Sequence, residues 1–284
     1  MDLTSPKTIK NIQTQFGFTF KKGLGQNFLT SPAVLEDIVD AAEIDGGVIE
    51  VGPGFGVLTK ELSAAADKVV SIEIDDRLLE VLEYTLAECD NVKIINGDIL
   101  KLDLHKLFAE EFPNQTVSVA ANLPYYITTP IITKLLEERL PIRNIVVMVQ
   151  KEVAQRLQAK PASKDYGAVT LMCRYYTEPE IVTIVPAGLF VPPPKVDSAV
   201  LKLKVLDKPR VDVKNEKIFF RTIKAAFSQR RKTLLNCLSS NFSFSKDELT
   251  EIMESAGIEP SRRGETLDIN EFAKLSDKLW ERTK

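Results

Sequence analysis

Histidine is almost missing from this chain, with His105 the only one in 284 residues. A hydrolytic triad built on histidine has only that residue to use, and a zinc cluster has too few ligands. His105 therefore reads as a surface residue in a polar loop, and no metal is expected. Cysteine is scarce as well: Cys89, Cys173 and Cys237 are odd in number and far apart, which suits reduced, buried thiols and leaves no CxxC pair. No stretch approaches the ~20 apolar residues of a membrane span, and the N-terminus lacks the apolar core of a signal peptide. The expected location is cytoplasmic, with no membrane partner. A basic excess is also absent. Lys and Arg number 37 against 40 Asp and Glu, a net charge of −3, which argues against a uniformly basic coat and makes the distribution of charge the informative quantity. No internal repeat or low-complexity tract is present. What remains is ordinary globular composition, 44% hydrophobic and 27% charged, over a length that suggests two domains.

Residues 47–56 read Gly-Val-Ile-Glu-Val-Gly-Pro-Gly-Phe-Gly, a run of β-branched residues leading into three glycines and then a helical segment from Val57 to Ala66. Such a strand, tight turn and helix lets the backbone approach a ligand at Gly52, Gly54 and Gly56, with free N–H groups at the helix start. Dinucleotide folds share this device, but their fingerprint wants its third glycine at 57, where Val57 stands. A second strand, 69–72, ends in Glu73, whose carboxylate suits a ribose diol. A third, 92–95, runs to Gly97-Asp98. One acid at a strand end is commonly just solvated; two successive ones beside a glycine turn favour a nucleoside pocket.

A fourth strand, 117–121, runs into Asn122-Leu123-Pro124-Tyr125, and a fifth spans 144–149. Helical patterns at Leu78 to Leu86 and Ile131 to Leu136 lie between the strands, so the sheet should be parallel and covered on both faces. Ligands in open sheets of this kind bind outside the carboxyl ends of the strands, where all four motifs fall. The Asn122 turn combines a side-chain acceptor, a backbone that Pro124 biases toward extension, and an aromatic face at Tyr125. Those groups can accept hydrogen bonds from the exocyclic amine of a base, carry the Leu123 carbonyl to the same amine and stack the ring. An ordinary strand-to-loop turn would look the same in isolation; with the upstream motifs, the pattern suggests methyl transfer to a base nitrogen.

Toward the C-terminus, 191–198 is a proline-rich extended loop before an alternating strand, 199–205. It could wall a base pocket, with Phe190 as a second aromatic contact, although core is the commoner role for phenylalanine. Residues 206–215 have linker composition, placing the boundary between a domain of 1–205 and one of 206–284. The latter shows only helical patterns, with capping boxes at Ser245 and Asp268. Within it, KIFFRTIKAAFSQRRK (217–232) holds six basic residues and no acid. Ile218, Phe219, Thr222, Ile223, Ala226 and Phe227 form an apolar stripe that leaves Lys217, Arg221 and Lys224 opposite. Arg230, Arg231 and Lys232 continue that face as a phosphate rail, to which Lys21, Lys22, Arg262 and Arg263 could add. A solvated helix face is the alternative.

Gly25-Gln-Asn-Phe-Leu29, Glu50 to Gly56, Ile72-Glu-Ile-Asp75, Gly97-Asp-Ile99, Asn122-Leu-Pro-Tyr-Tyr126, the loop at 191–198, Ala226 to Asn236 and Arg263 to Phe272 together resemble the KsgA-type ribosomal RNA small-subunit adenine dimethyltransferases. The resemblance runs from about Lys21 to Leu279, leaving an N-terminal extension of 1–20. It implies a Rossmann-like class I S-adenosylmethionine-dependent methyltransferase domain and a small C-terminal all-helical domain that binds RNA. The implied substrates are two adjacent adenines near the 3′ end of 16S ribosomal RNA, in the small (30S) subunit or its late precursor, and the enzyme is expected to be monomeric. For the S-adenosylmethionine site it implies Asn27 and Leu29 on the methionine side, Gly52 and Gly54 as cradle, Glu73 with Ile74 at the ribose, and Asp98 with Ile99 at the adenine. Asn122 lies between cofactor and target, with Leu123, Pro124, Tyr125 and Phe190 around the flipped base. An Erm-type enzyme acting on 23S ribosomal RNA, or a non-catalytic nucleic-acid factor on the same fold, are the rival readings; the Leu at 123 and the match from Ala226 weigh against the first, and the intact motifs against the second.

Overall fold

The structure is a computed structural model and describes residues 1–19 and 26–283. In chain order its helices and strands are α1 (Pro6–Gln15), β1 (Phe28–Leu29), α2 (Pro32–Ala42), β2 (Gly47–Val51), α3 (Val57–Ala65), β3 (Lys68–Glu73), α4 (Leu79–Thr85), β4 (Val92–Asn96), α5 (Leu104–Glu111), β5 (Val117–Asn122), α6 (Thr128–Glu137), β6 (Ile142–Gln150), α7 (Lys151–Gln158), α8 (Ala168–Tyr176), β7 (Thr177–Val185), β8 (Phe190–Val191), β9 (Ser198–Val205), α9 (Glu216–Ala226), α10 (Leu234–Ser239), α11 (Lys246–Ser255) and α12 (Ile269–Arg282). The chain divides into two compact units, one of residues 1–154 and 178–205, the other of 155–177 and 206–284.

The first unit is built on a seven-stranded sheet of order β4-β3-β2-β5-β6-β9-β7. Strands β4, β3, β2, β5 and β6 run parallel, and β9 joins β6 antiparallel. The five strands expected to form a parallel sheet do so, and β9 extends it antiparallel into a mixed one. Strand β7 escapes the sequence pattern because Glu178, Pro179 and Glu180 dilute its apolar alternation. It lies at the sheet edge, where a proline without an N–H is tolerated. Among the parallel strands the order reverses between β2 and β5, and a crevice opens at their carboxyl ends. The apolar core includes Leu3, Ile9, Ile12 and Phe18, so residues 1–19 are part of this unit rather than an appendage. Phe55, fully buried under the glycine turn, stacks on Phe28 with centroids 4.1 Å apart and meets Phe18 edge-on at 5.2 Å.

Beneath the turn, β2 carries an acid where the sheet is dry. Glu50 is 1% exposed, and its Oε2 accepts hydrogen bonds from Thr59 Oγ1 on α3 at 2.6 Å and Ser71 Oγ on β3 at 2.7 Å. One carboxylate oxygen therefore ties two strands and a helix together. Burial pushes Glu50 up to about 7, and the neighbouring Glu73 carboxylate adds to the rise against the two hydroxyl donors.

The second unit is helical, with a core that includes Phe219, Leu234, Leu238, Leu249, Met253, Phe272, Leu275 and Leu279. The single boundary expected at 205/206 is corrected to three crossings, because aromatic packing draws 155–177 into the helices. Tyr175 lies 5.0 Å from Phe219 and 5.2 Å from Phe220, and Tyr166 meets Phe227 at 5.9 Å while donating to the Leu267 carbonyl at 2.9 Å. The stretch from Leu206 is equally committed, since Leu206 N–H donates to the Tyr176 carbonyl and Arg210 N–H to that of Tyr175, both at 2.9 Å. The capping boxes at Ser245 and Asp268 form as their sequences suggest.

The Glu50 arrangement sets a pH dependence. A carboxyl with a higher pKa folded than unfolded binds more protons in the native state, so its contribution to stability is complete below about 4.5 and is lost as pH rises through about 7. Glu50→Gln keeps an oxygen for both hydroxyls and removes the ionisation. The stability of this variant relative to the parent should rise between pH 4.5 and pH 8, by up to ~3 kcal/mol, measured by denaturant unfolding at several pH values. A pH-independent difference between the two proteins is the contrary result.

Candidate active site

The carboxyl ends of β2, β3, β4 and β5 open into one pocket lined by Asn27, Leu29, Gly52, Gly54, Glu73, Ile74, Asp98, Ile99 and Asn122; Gly56, the third glycine of the turn, is not on its wall but caps α3 and packs against Leu86. Its floor is the glycine turn. Gly52 (φ +73°) and Gly54 (φ +60°) both take left-handed backbone, and a Cβ on Gly54 would fall 2.8 Å from the Phe28 ring, so position 54 packs this way only as glycine. Glu73 Oε1 accepts from Asp75 N–H at 2.7 Å and Oε2 faces Gly54 N–H at 3.4 Å, which aims the carboxylate across the turn. Burial raises its pKa against those backbone donors. At the next strand end, Asp98 Oδ1 accepts from Leu100 N–H at 3.0 Å and its other oxygen stands 3.6 Å from Lys101 Nζ. Ile74 is 50% exposed on the pocket wall, an apolar surface left open beside two acids.

Across the crevice, Asn122 ends β5 and its Nδ2 donates to the Asn27 carbonyl at 3.0 Å. That bond uses one of the two N–H donors and fixes the amide, with Oδ1 an acceptor it can present to a ligand. The following turn closes through Ile127 N–H and the Thr128 hydroxyl, both donating to the Pro124 carbonyl at 3.2 Å, which leaves the Leu123 carbonyl outside these bonds. Leu123, Pro124 and Tyr125 line the pocket with Asn122. Phe190 does not. It is 2% exposed in the apolar core, where its strand pairs antiparallel with β1 and sets it opposite Leu29, so its ring is not available to a base. The proline-rich loop after it also contributes nothing to the wall. Sequence reasoning passed over Tyr126, which lines the pocket and is 56% exposed; the signal was its place in the Asn122 motif. Gln26 and Phe28, inside the Gln-Asn-Phe-Leu motif, line it as well.

In the helical unit, α9 buries Phe219, Thr222, Ile223, Ala225 and Ala226 and exposes Lys217, Arg221 and Lys224. Arg230, Arg231 and Lys232 are exposed in the turns that follow. Two of these have prior contacts: Arg221 lies 4.3 Å over the Phe242 ring and donates to the Asn241 carbonyl, and Arg230 donates to that of Lys164. Arg262 is bound to Glu271 through two nitrogens, which makes it a brace for the α12 cap rather than part of a surface rail. Lys21 and Lys22 lie outside the described residues. His105 sits exposed on α5, in a helix and not a loop. Cys173 and Cys237 are buried, and Cys89 is half-buried. Among the described residues no cluster of His, Cys, Asp and Glu could hold a metal ion, and no helix is long and apolar enough to cross a membrane.

Residues 17–276 match the Ribosomal RNA adenine dimethylase family. A protein of Bacillus cytotoxicus named Ribosomal RNA small subunit methyltransferase A is 55% identical, over 98% of this chain and 97% of its own, and one of Bacillus mycoides with the same name is 54% identical over the same shares. Among solved structures, a dimethyladenosine transferase from Plasmodium falciparum superposes with a TM-score of 0.72 at 29% identity, covering 87% of this chain and 95% of that one. The 23S rRNA methyltransferase ErmE gives a TM-score of 0.67 at 26% identity, over 89% and 99%. A pocket of strand-end acids and an asparagine acceptor, on a reversed parallel sheet, thus coincides with a match over most of the sequence, and the chain belongs to the ribosomal RNA adenine dimethylase family.

Proposed function

We propose that this enzyme dimethylates N6 of two adjacent adenines near the 3′ end of 16S ribosomal RNA, within the small subunit or its late precursor, with S-adenosylmethionine as donor. The observation that carries the reading is the Asn122 amide, pinned through Nδ2 so that an acceptor faces a pocket ringed by strand-end acids. The residues fit the donor. The glycine turn brings bare backbone to the pocket at Gly52 and Gly54, with open space where a Gly52 side chain would begin; Glu73 offers a carboxylate for hydroxyls; Asp98 is an acceptor for an amine; Ile74 and Ile99 give apolar surface for a flat ring. Asn27 and Leu29 close the methionine side. When bound, S-adenosylmethionine supplies a methyl group already activated on a sulfonium.

The chain's own part is alignment. Asn122 Oδ1 and the Leu123 carbonyl accept the N–H groups of the adenine amine, whose nitrogen lone pair is thereby turned toward the donor side of the pocket, and the Tyr125 ring carries the flipped base. Positioning of this kind supplies ~7–11 kcal/mol in well-oriented systems, so acceptors without a strong base are sufficient; the methylated amine loses its proton to water. The 54–55% identical relatives named for the small subunit favour 16S over 23S RNA. Phosphates of the RNA are held by the exposed basic face of α9 and the turns after it, which lets a chain of net charge −3 bind a polyanion locally.

Labelled methyl groups should pass from the donor to small subunits lacking the modification and not to large subunits. Asn122→Ala should nearly abolish that transfer in a folded protein, and near-normal turnover by it would refute the alignment mechanism. Glu73→Ala should weaken S-adenosylmethionine binding by ~1.5–3 kcal/mol in calorimetry, the cost of a lost hydrogen bond to a charged group. Replacing Lys224, Arg231 and Lys232 by Glu, and sparing Arg221 with its contact to Phe242, should weaken small-subunit binding and lower the slope of log K against log salt by about 2–3, with donor affinity unchanged. Parental binding by the triple variant across a salt titration would move the RNA footprint off this face.

A further inference from the structure

The loop at 191–198 stays outside the pocket wall, yet it ends on a residue that reaches the pocket from behind. Ser198 is the first residue of β9 and fully buried, and its Oγ lies 2.8 Å from the Tyr125 hydroxyl. Its position is set by the sheet: Ser198 pairs with Gln150 on β6, and the preceding Asp197 accepts Lys151 N–H at its carbonyl (3.0 Å) and Ala187 N–H at Oδ1 (3.1 Å). Tyr125, by contrast, stands in a turn beyond β5, half-buried, in no strand or helix. The far end of its side chain is anchored at the hydroxyl.

We propose that Ser198 is a positioning residue for methyl transfer, holding the Tyr125 ring through its hydroxyl so that the ring presents one fixed face to the target adenine. The inference rests on the reading of Tyr125 as the stacking face. A tyrosine tethered at both ends cannot change its side-chain rotamer without breaking the bond to Ser198, whereas one held only at its backbone samples several. Because the stack fixes the plane of the base, and thereby the direction of the amine, a loose ring costs alignment rather than affinity. The hydroxyl is neutral and able to donate, since burial raises the Tyr125 pKa against the Ser198 contact. The adjoining Tyr126 has no such tether and lies exposed at the mouth, so the serine distinguishes one tyrosine of the pair.

The test uses the full-length enzyme, small subunits lacking the modification and steady-state methyl transfer, with Tyr125→Phe, Ser198→Ala and the double variant. Each should lower kcat by about three- to tenfold, the range of one lost hydrogen bond, while KM for the subunit and affinity for S-adenosylmethionine stay within twofold of the parent. The double variant should be no slower than the singles, because both remove the same bond. Parental kcat in either single, a double loss equal to the product of the singles, or a loss confined to KM would overturn the inference. If Ser198→Ala does not fold, Tyr125→Phe decides alone: it retains the ring, and parental kcat refutes the tether. Tyr125→Ala at the parental rate would instead remove the stacking reading itself, and the tether with it.

Discussion

The buried Glu50 carboxylate is the joint on which the pocket hangs. Strand β2 must deliver a glycine turn at its carboxyl end, α3 must start immediately behind that turn, and β3 must bring Glu73 to the same edge. A single oxygen bonded to Thr59 and Ser71 fixes all three relations at once. The arrangement places two carboxyl groups near each other in a dry region, and both are driven toward the protonated state by burial. A ligand that brings a positive charge and hydroxyl donors would offset that burial, which accords with the proposed donor.

The second wall works on a different principle. Opposite the acids, the proposed selectivity rests on acceptors: the Asn122 amide oxygen, whose NH2 group is anchored on the Asn27 carbonyl, and a backbone carbonyl left out of the turn's own bonds. An exocyclic amine fits such a wall because it offers two donors, whereas a carbonyl oxygen in the same place would face unpaired acceptors.

Much of this was legible because the chemistry sits where local sequence rules are strongest. Gly52 and Gly54 with their positive φ, acids at strand ends and the Asn122 turn are short-range features, and the structure brings all of them to one pocket. What stayed hidden depends on partners distant in the chain. Phe190 looks like a free aromatic until its two-residue strand pairs with Phe28 and Leu29, some 160 residues earlier. Arg221 and Arg230 count as basic charge in a linear reading, but Asn241 and Lys164 carbonyls, approached only in the fold, already engage them. Strand β7 was missed because its acids and proline suit an edge, a property that belongs to the sheet and not to the segment.

The excursion of 155–177 into the helical unit has a bearing on synthesis. Tyr175 leaves the ribosome 44 residues ahead of Phe219, the ring it packs against, and at ~5–20 residues per second it waits roughly 2–9 s for that partner. During this interval the sheet's last strands, β7 to β9, emerge and the first unit becomes complete, while α8 has no core of its own to enter. The chain therefore presents every pocket residue, and then the whole of the first unit, before the last helices of the second unit have been made.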